Sequence, residues 1–429
     1  MQHTPRYNLR GRPQLPPGGL PPAALAPPPA PQVPPVVPGQ STQITGTDIT
    51  GLDGQLPGVG WRRYPLSGND SVAFMYVRHD ASGNIVERRV LKIRENWTGG
   101  IQEMTMHRVL SRNGANRPIL RLIRGFERQD HRGFYLELEP CPYGDIWDLT
   151  NFYADINNFK KYKKIPEPFL WHVFLELTKA CLVLFQGSET QRVQAWMPDW
   201  EYVHCDLKTA NVFLAESDGT GDFPIYPRPV MADFDSTYRT HPNDLSNPQI
   251  MAWAGTPGYW SPEQFKLFTV APGPLGGTVV PTRQLDPAVQ INNRKTLAHT
   301  NVWNTAFIIW CMMRRQREGL DPRILDYADP NVVEPDRQPK PRGYSRQLEE
   351  LVYECLQKEP NHRPRLTGPN NLMDRIRGNI DILRMDMQHW QILPPNLQNS
   401  QQGRYPYRLQ LREDLFAIGN RMPRGHFPP

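Results

Sequence analysis

Residues 304–316, NTAFIIWCMMRRQ, are apolar nearly all round when drawn as a helix. A helix of that kind belongs in the middle of a domain, enclosed by other elements. Residues 167–187, EPFLWHVFLELTKACLVLFQG, add a second buried helix, with Leu170, Phe174, Leu177, Cys181 and Leu184 on one face. Residues 345–360, SRQLEELVYECLQKEP, form an amphipathic helix that stops at Pro360. The chain therefore needs a large helical core, and its 429 residues leave room for a further domain beside it. No apolar run approaches the roughly 18 residues that span a bilayer, so no membrane contact is expected.

The pattern changes on the N-terminal side of this core. SVAFMYVRHD (71–80) alternates and is rich in β-formers, and NIVERRVLKIREN (84–96) follows across DASG, which reads as strand, turn and strand. Residues 101–112 place Ile101, Met104, Val109 and Leu110 at helical spacing, and PILRLIRGFERQ and GFYLELEPC read as two more strands. The expected fold class is α+β: a small antiparallel β lobe with one helix (60–141) and a larger, mainly α-helical lobe (142–378). The Gly/Pro-rich residues 218–230 and 271–299 read as loops.

Thirteen of the 46 prolines fall in residues 1–40, which carry no acidic residue and few large apolar ones. Such a segment cannot bury enough surface to offset its ordering entropy, so residues 1–59 read as a disordered arm, partly polyproline II. Within it, Arg10-x-x-Pro13-x-x-Pro16 fits an SH3 ligand, because polyproline II is preformed and the Arg can meet an acidic pocket. Residues 379–429 read as a Pro/Gln/Arg-rich tail, partly disordered. The two ends hold all of the net charge of +6. The near-neutral middle argues against a nucleic-acid partner. The five cysteines, Cys141, Cys181, Cys205, Cys311 and Cys355, are widely spaced and odd in number, so neither a disulfide framework nor a zinc site is indicated. The start, MQHTPRYNLR, lacks an apolar h-region, and an intracellular place, cytoplasmic or nuclear, is expected.

VHCDLKTANVF (203–213) carries the chemistry. Asp206-x-Lys208-x-x-Asn211 sets a carboxylate, an ammonium and an amide on one short loop. A carboxylate accepts a proton from a hydroxyl nucleophile, a lysine neutralises charge on a transferring phosphoryl group, and an amide oxygen is a hard ligand for Mg²⁺. VMADFDS then presents a second carboxylate, Asp233, after a short apolar strand. Asn211 and Asp233 together suit a metal–triphosphate complex.

Over roughly residues 60–378 the sequence resembles the eukaryotic protein kinase family. The catalytic-loop pattern is met by His204, Asp206, Leu207, Lys208 and Asn211, and the D-F-G pattern by Asp233 and Phe234. GTPGYWSPE (255–263) resembles the end of an activation segment, with Thr256, Pro262 and Glu263, and Arg363 resembles the partner of that Glu. Val90-Leu91-Lys92 resembles the strand lysine that grips the nucleotide phosphates, and Glu103 the helix Glu that orients it. LELEPCPYGD (136–145) looks like the hinge: the resemblance implies Leu138 as gatekeeper, Glu139 and Cys141 offering backbone groups to adenine, and Asp145 near the ribose. It implies ATP and Mg²⁺ as cofactors, protein substrates, and, from Lys208 with Thr256, serine or threonine as acceptor.

Several positions depart from the family. The glycine-rich loop is represented by PLSGNDSVAF (65–74), with Gly68 as its one glycine, which limits how closely backbone N–H groups approach phosphates. An ordinary hairpin turn is the other reading of Gly68. The D-F-G glycine is Asp235, the Asp that usually braces the catalytic loop is Asn301, and the usual apolar residue four after the helix Glu is His107, expected as a packed core histidine. The Arg before the catalytic Asp is Cys205. A Cys cannot pair with an activating phosphate, so phosphorylation at Ser236, Thr237, Tyr238 or Thr240 is not expected to be the main switch. These departures keep a second function open, a pseudokinase acting as a nucleotide-binding or scaffolding module.

Overall fold

Period-two alternation builds a five-stranded antiparallel sheet: β1 (Trp61–Pro65), β2 (Val72–His79), β3 (Ile85–Arg94), β4 (Leu122–Glu127) and β5 (Phe134–Leu138), in the spatial order β1-β2-β3-β5-β4. The computed structural model describes residues 61–66, 72–94, 97–111, 118–127, 133–155, 158, 164–193, 199–219, 221–251, 254–265, 268–272, 279–285, 295–315, 343–391, 409–411, 414 and 417–420. The β2–β3 turn is fixed by Asp80, whose Oδ1 accepts from the amides of Ser82 and Asn84, and by Gly83 at φ +82°. The register sets Lys92 opposite Ala73 of β2 and Leu136 of β5. Alternate residues of a strand share a face, so Arg88, Val90, Lys92 and Arg94 lie along one side of β3.

Helix α1 (Trp97–Ser111) starts a turn earlier than residues 101–112 indicated. Its first turn holds two glycines, which weaken any helix signal. Gly100 is needed there: a Cβ would sit 2.7 Å from Phe134 Cδ2 of β5.

The larger core is helical. It is built from α2 (Ile146–Ala154), α3 (Glu167–Gln186), α5 (Ala298–Arg314), α6 (Arg346–Cys355) and α7 (Leu372–Gln391), with the short α4 (Pro262–Phe265) between α3 and α5. α3 ends at Gly187, whose φ of 89° gives the left-handed cap that glycine takes freely. α5 is buried from Thr300 to Met313, and its Trp303, Phe307 and Trp310 rings stack at 4.9 and 5.6 Å. Contrary to the sequence expectation, one helix, α3, is long and apolar enough to cross a membrane. Glu167, His172, Glu176 and Lys179 interrupt the run without lowering its average much. Here most of α3 lies buried in the helical core, and Glu176 is neutralised by Lys179 at 2.6 Å.

The loop reading of residues 271–299 is corrected in part. Phe268–Pro272 (β10) and Val279–Leu285 (β11) form an antiparallel pair, where Val279, Val280 and Thr282 supply β-branched residues. Pro281 is tolerated because each strand of a two-stranded pair is an edge. Residues 228–230, also expected as loop, open strand β8.

α7 continues past residue 378 to Gln391, and the chain beyond it returns to the sheet. Gln410 N–H donates to the Tyr153 hydroxyl at 3.0 Å, Gly419 N–H to the Ile85 carbonyl at 2.8 Å, and Ile85 N–H to the Asn420 carbonyl at 3.0 Å. Arg88, buried on β3, is gripped by Asp414 at 2.6 Å and by Glu216. Asp414→Ala removes the more buried of these two acceptors while Glu216 remains, so the expected cost is about 1–3 kcal/mol in urea-unfolding free energy. Glu216→Ala, at an exposed carboxylate, is expected to cost less than about 1 kcal/mol in the same measurement.

Candidate active site

Strand β6 (Glu201–Val203) leads through His204–Lys208 into a 3₁₀ turn, Thr209–Asn211, and then into β7 (Val212–Ala215). β7 pairs antiparallel with β8 (Arg228–Met231), Val212 facing Met231, and the Ala232 amide donates to the Asn211 carbonyl at 2.9 Å. This hairpin brings Asn211 and Asp233 to the same end, although 22 residues separate them in sequence.

The residues read as a catalytic loop form one hydrogen-bonded group. Asp206 Oδ2 accepts from Lys208 Nζ at 2.9 Å, and Asp206 Oδ1 accepts from the Thr256 hydroxyl at 2.6 Å. Lys208 Nζ also donates to Thr256 Oγ1 at 2.7 Å. Asn211 Nδ2 donates to the Asp206 carbonyl at 2.8 Å, which leaves its Oδ1 as the acceptor end. The loop is braced from α5: Asn301 Oδ1 accepts from the His204 amide at 3.0 Å, and Asn301 Nδ2 donates to the Tyr202 carbonyl at 3.0 Å. An Asn meets both needs. An Asp would satisfy the first and face the carbonyl with a negative oxygen.

A second group joins the sheet, α1 and the turn after β8. Lys92 Nζ donates to Glu103 Oε1 at 2.8 Å and to Asp233 Oδ1 at 2.7 Å. The eleven-residue spacing thus makes the ion pair expected of it. Arg94, which the sequence reading passed over, joins the same carboxylates. Its Nε donates to Glu103 Oε2 at 2.5 Å and its Nη2 to Asp233 Oδ1 at 2.7 Å, with Asp235 Oδ2 at 3.4 Å. The signal that pointed to it was its place two residues beyond Lys92 on the same face of a strand. Burial alone would lift the Asp233 carboxyl, but Lys92 and Arg94 outweigh it and hold the group well below the usual carboxylate range. Glu103 is lowered by the same balance, burial against Lys92 and Arg94. Burial would depress the Lys92 ammonium, and Asp233 and Glu103 overcome it and raise the pKa. Asp235 moves the other way, raised by burial and then by Asp233. Asp233 takes φ +66°, a backbone state uncommon outside glycine that costs of order 1–3 kcal/mol and gathers at functional sites.

Phe234 is fully buried, its ring 5.0 Å from His107 on α1 and 5.3 Å from His204. Burial lowers the His107 pKa to about 4, so this ring is neutral at pH 7 and packs as a core group. Cys205 is also buried, among Val203 and Met251, and burial followed by the Asp206 charge pushes its thiol up, away from the reactive thiolate. Of the four hydroxyls available for phosphorylation, Thr237 and Thr240 are buried.

The residues read as a hinge begin at Leu138, the last residue of β5. Leu138 is buried, and Glu139 is tied down by its own amide to the Arg121 carbonyl (3.1 Å) and by its carboxylate to the Arg121 amide (2.9 Å) and Arg228 (3.0 Å). Cys141 is half-buried and packs against the cluster that holds Leu138. Asp145 caps α2, its Oδ1 accepting from the Asp148 amide at 2.8 Å, a task separate from the ribose contact expected of it. Gly68 lies outside the described residues. Glu263 and Arg363 form a bidentate pair at 2.9 and 2.8 Å, with Thr300 adding a bond at 2.6 Å.

Among the described residues no cluster of three or more His, Cys, Asp or Glu side chains is arranged to hold a metal ion. Mg²⁺ in phosphoryl-transfer sites needs fewer, because substrate phosphates and water fill most of its shell. The hard oxygens of Asn211 and Asp233 fit that requirement.

No family model matches the sequence. The chain is 24% identical over 248 residues to the G2-specific protein kinase nimA of Emericella nidulans, covering 54% of this chain and 28% of that protein. It is 31% identical over 112 residues to ephrin type-B receptor 2 of Gallus gallus, covering 26% of this chain and 11% of the receptor. With ephrin type-A receptor 6 of Rattus norvegicus the identity is 26% over 118 residues, 28% of this chain and 11% of the receptor. The matched regions span under a third of these relatives. The similarity to protein kinases is distant and partial, and the sheet and helices are compatible with a kinase-like fold.

Two outcomes follow from this geometry. Burial would raise the Glu263 carboxyl, but Arg363 outweighs it and holds the pKa at about 2, below the ordinary 4.5. That depression corresponds to about 3 kcal/mol, fully present above pH ~4.5 and lost as pH falls towards 2. Glu263→Gln is therefore expected to cost several kcal/mol in unfolding free energy at pH 7, with the gap from wild type narrowing steadily below pH 4.5. Asn301→Asp, although it introduces the residue that the resemblance leads one to expect here, is expected to lower the melting temperature by several degrees, as loss of a buried donor costs about 1–3 kcal/mol.

Proposed function

We propose that this chain is an ATP-dependent protein kinase that transfers the γ-phosphoryl group to serine or threonine hydroxyls of protein substrates, with a two-lobed fold and the nucleotide between the lobes. The observation that carries the reading is the meeting of two groups. Lys92, Glu103 and Asp233 are locked in one ion cluster, and Asp206, Lys208, Asn211 and Thr256 are locked in another, with the β7–β8 hairpin joining them. That these side chains lie together supports the reading.

In this reading Asp206 accepts the proton of the substrate hydroxyl, and Thr256 and Lys208 hold its carboxylate in place. Lys208 faces negative charge developing on the transferred group. Asn211 and Asp233 would hold Mg²⁺, which when bound would supply charge neutralisation to the nucleotide phosphates. Lys92, oriented by Glu103, grips the phosphates. Gly68 belongs to the loop covering them, and Leu138, Glu139 and Cys141 border the adenine, with Asp145 beyond. Catalysis of this kind is mostly positioning and electrostatics. Cys205 offers no cation to an activating phosphate, so the site is assembled without one. The scaffold reading draws on Asp235, Asn301 and the glycine-poor stretch around Gly68; Asp235 has Arg94 as a partner and Asn301 has the Tyr202–His204 backbone, while Gly68 lies outside the described residues.

The test is phosphate transfer from labelled ATP with Mg²⁺ to generic protein substrates, with a thermal-shift assay in parallel. Asp206→Asn is expected to lower turnover by at least about 10²-fold, as for loss of a positioned general base, while the stabilisation by Mg²⁺-ATP persists. Equal turnover in wild type and variant overturns the enzymatic reading. A nucleotide-induced shift without any turnover favours the scaffold.

A further inference from the structure

Arg94 has no counterpart in the motifs that brought the rest of the site to notice. It lies on β3, two residues beyond Lys92 and on the same face, and both side chains reach Asp233 Oδ1. Its side chain stays 23% exposed, more than the 14% of Lys92. An arginine serving only to cement the sheet to α1 would need no such opening. Its partners are also arranged unevenly. Glu103 is bracketed, one oxygen to Lys92 and the other to Arg94, and is almost fully buried. Asp233 instead receives both cations on the single atom Oδ1. Because both cations depend on one oxygen of Asp233, any loss of charge available on that oxygen would loosen both at once and leave their donors for another anion.

The charge balance points the same way. Asp235 adds a third carboxylate to Glu103 and Asp233, and Arg94 adds a second cation to Lys92, so the two additions offset one another. Asp235 Oδ2 stands 3.4 Å from Arg94 Nη2, close enough to keep the guanidinium beside Lys92 when Asp233 releases it. The sequence supplies a need for such a group. Residues 65–74 contain the single glycine Gly68, which leaves few positions where backbone amides can come close to phosphate oxygens. A guanidinium presents a planar fork of donors that matches phosphate geometry and stays charged at every working pH.

We infer that Arg94 is a second phosphate-binding cation of this cleft, acting beside Lys92 on the nucleotide polyphosphate and kept in place by Asp235. The inference rests on the nucleotide reading of the cleft given above. It makes Arg94 a binding residue and Asp235 a positioning residue.

The experiment is calorimetric binding of ATP, ADP and adenosine, each with Mg²⁺, to the full chain and to Arg94→Met, Arg94→Lys, Asp235→Gly and Lys92→Met. Arg94→Met is expected to weaken ATP about tenfold or more and ADP by less, with adenosine within about twofold, as for loss of one charge-assisted phosphate contact. Arg94→Lys keeps the charge without the fork and is expected to lose about three- to fivefold for ATP, a readout that survives if Arg94→Met does not fold. Asp235→Gly is expected to weaken ATP by a few fold, again sparing adenosine. If Lys92→Met weakens ATP selectively while neither Arg94 variant does, the Arg94 assignment falls and the nucleotide reading stands. An equal loss of ATP and adenosine on changing Arg94 marks a structural role and overturns the inference. If wild type binds neither ATP nor adenosine, the nucleotide reading itself falls and takes this one with it.

Discussion

Two cations and three carboxylates share one partly buried space where β3, α1 and the turn after β8 meet. Desolvating five charges is costly, and only close contacts repay it. Each member therefore has a fixed place. Glu103 can be nearly inaccessible because Lys92 and Arg94 take one oxygen each. Asp233 can hold a left-handed backbone because two cations pin its side chain. Removing either cation leaves both Glu103 and Asp233 to the other one. The position of α1 against the sheet, and of the β8 turn against both, is set by this cluster as much as by apolar contact. Phe234 adds the apolar part, wedged between His107 and His204.

The loop that carries Asp206 is held by neutral groups instead. Asn301 uses both ends of its amide on loop backbone, and the Cys205 carbonyl accepts from Gln264 Nε2 at 3.2 Å. Cys205 itself sits at φ +61°, and Gly255 passes so close that a Cβ there would lie 2.2 Å from the Cys205 carbonyl oxygen. The loop is thus shaped by steric fit and dipoles, leaving its charged residues to one another. Lys208 and Thr256 both turn to Asp206, which keeps the carboxylate oriented without a neighbouring arginine.

Much of this was legible in the sequence because the periodicities are local. Alternation marked β2, β3 and β5, helical spacing marked α3 and α6, and the short-range motif of residues 203–213 marked the loop. What escaped did so for physical reasons. The first turn of α1 is hidden by glycines that exist to let it approach Phe134. β10 and β11 sit in a stretch whose glycines and prolines outweigh its valines. α3 carries four polar residues that break a run without making the helix polar. Arg94 was passed over because a cation on a strand looks solvated until the carboxylates of α1 and the β8 turn are placed against it, and those contacts span up to 141 residues of sequence. The return of Asp414, Gly419 and Asn420 to β3 is a contact of the same kind: nothing in an Arg-rich tail announces that Asp414 will meet Arg88.

Several departures from the kinase pattern share a further property. Asp235, Asn301 and Cys205 come with surroundings that absorb the consequence. Asp235 adds negative charge beside Asp233, and Arg94 supplies the offsetting cation. Asn301 loses a charge, and gains a donor that the Tyr202 carbonyl accepts. Cys205 removes a cation from the loop, and the space around it is filled by Val203 and Met251, an apolar lining in which an arginine would be buried without a partner. His107 brings a polar ring into the core, and burial holds it neutral against Phe234. Where a departure is matched by its surroundings, the two side-chain groups stay assembled, and the chemistry proposed for the chain draws on that assembly rather than on any one motif.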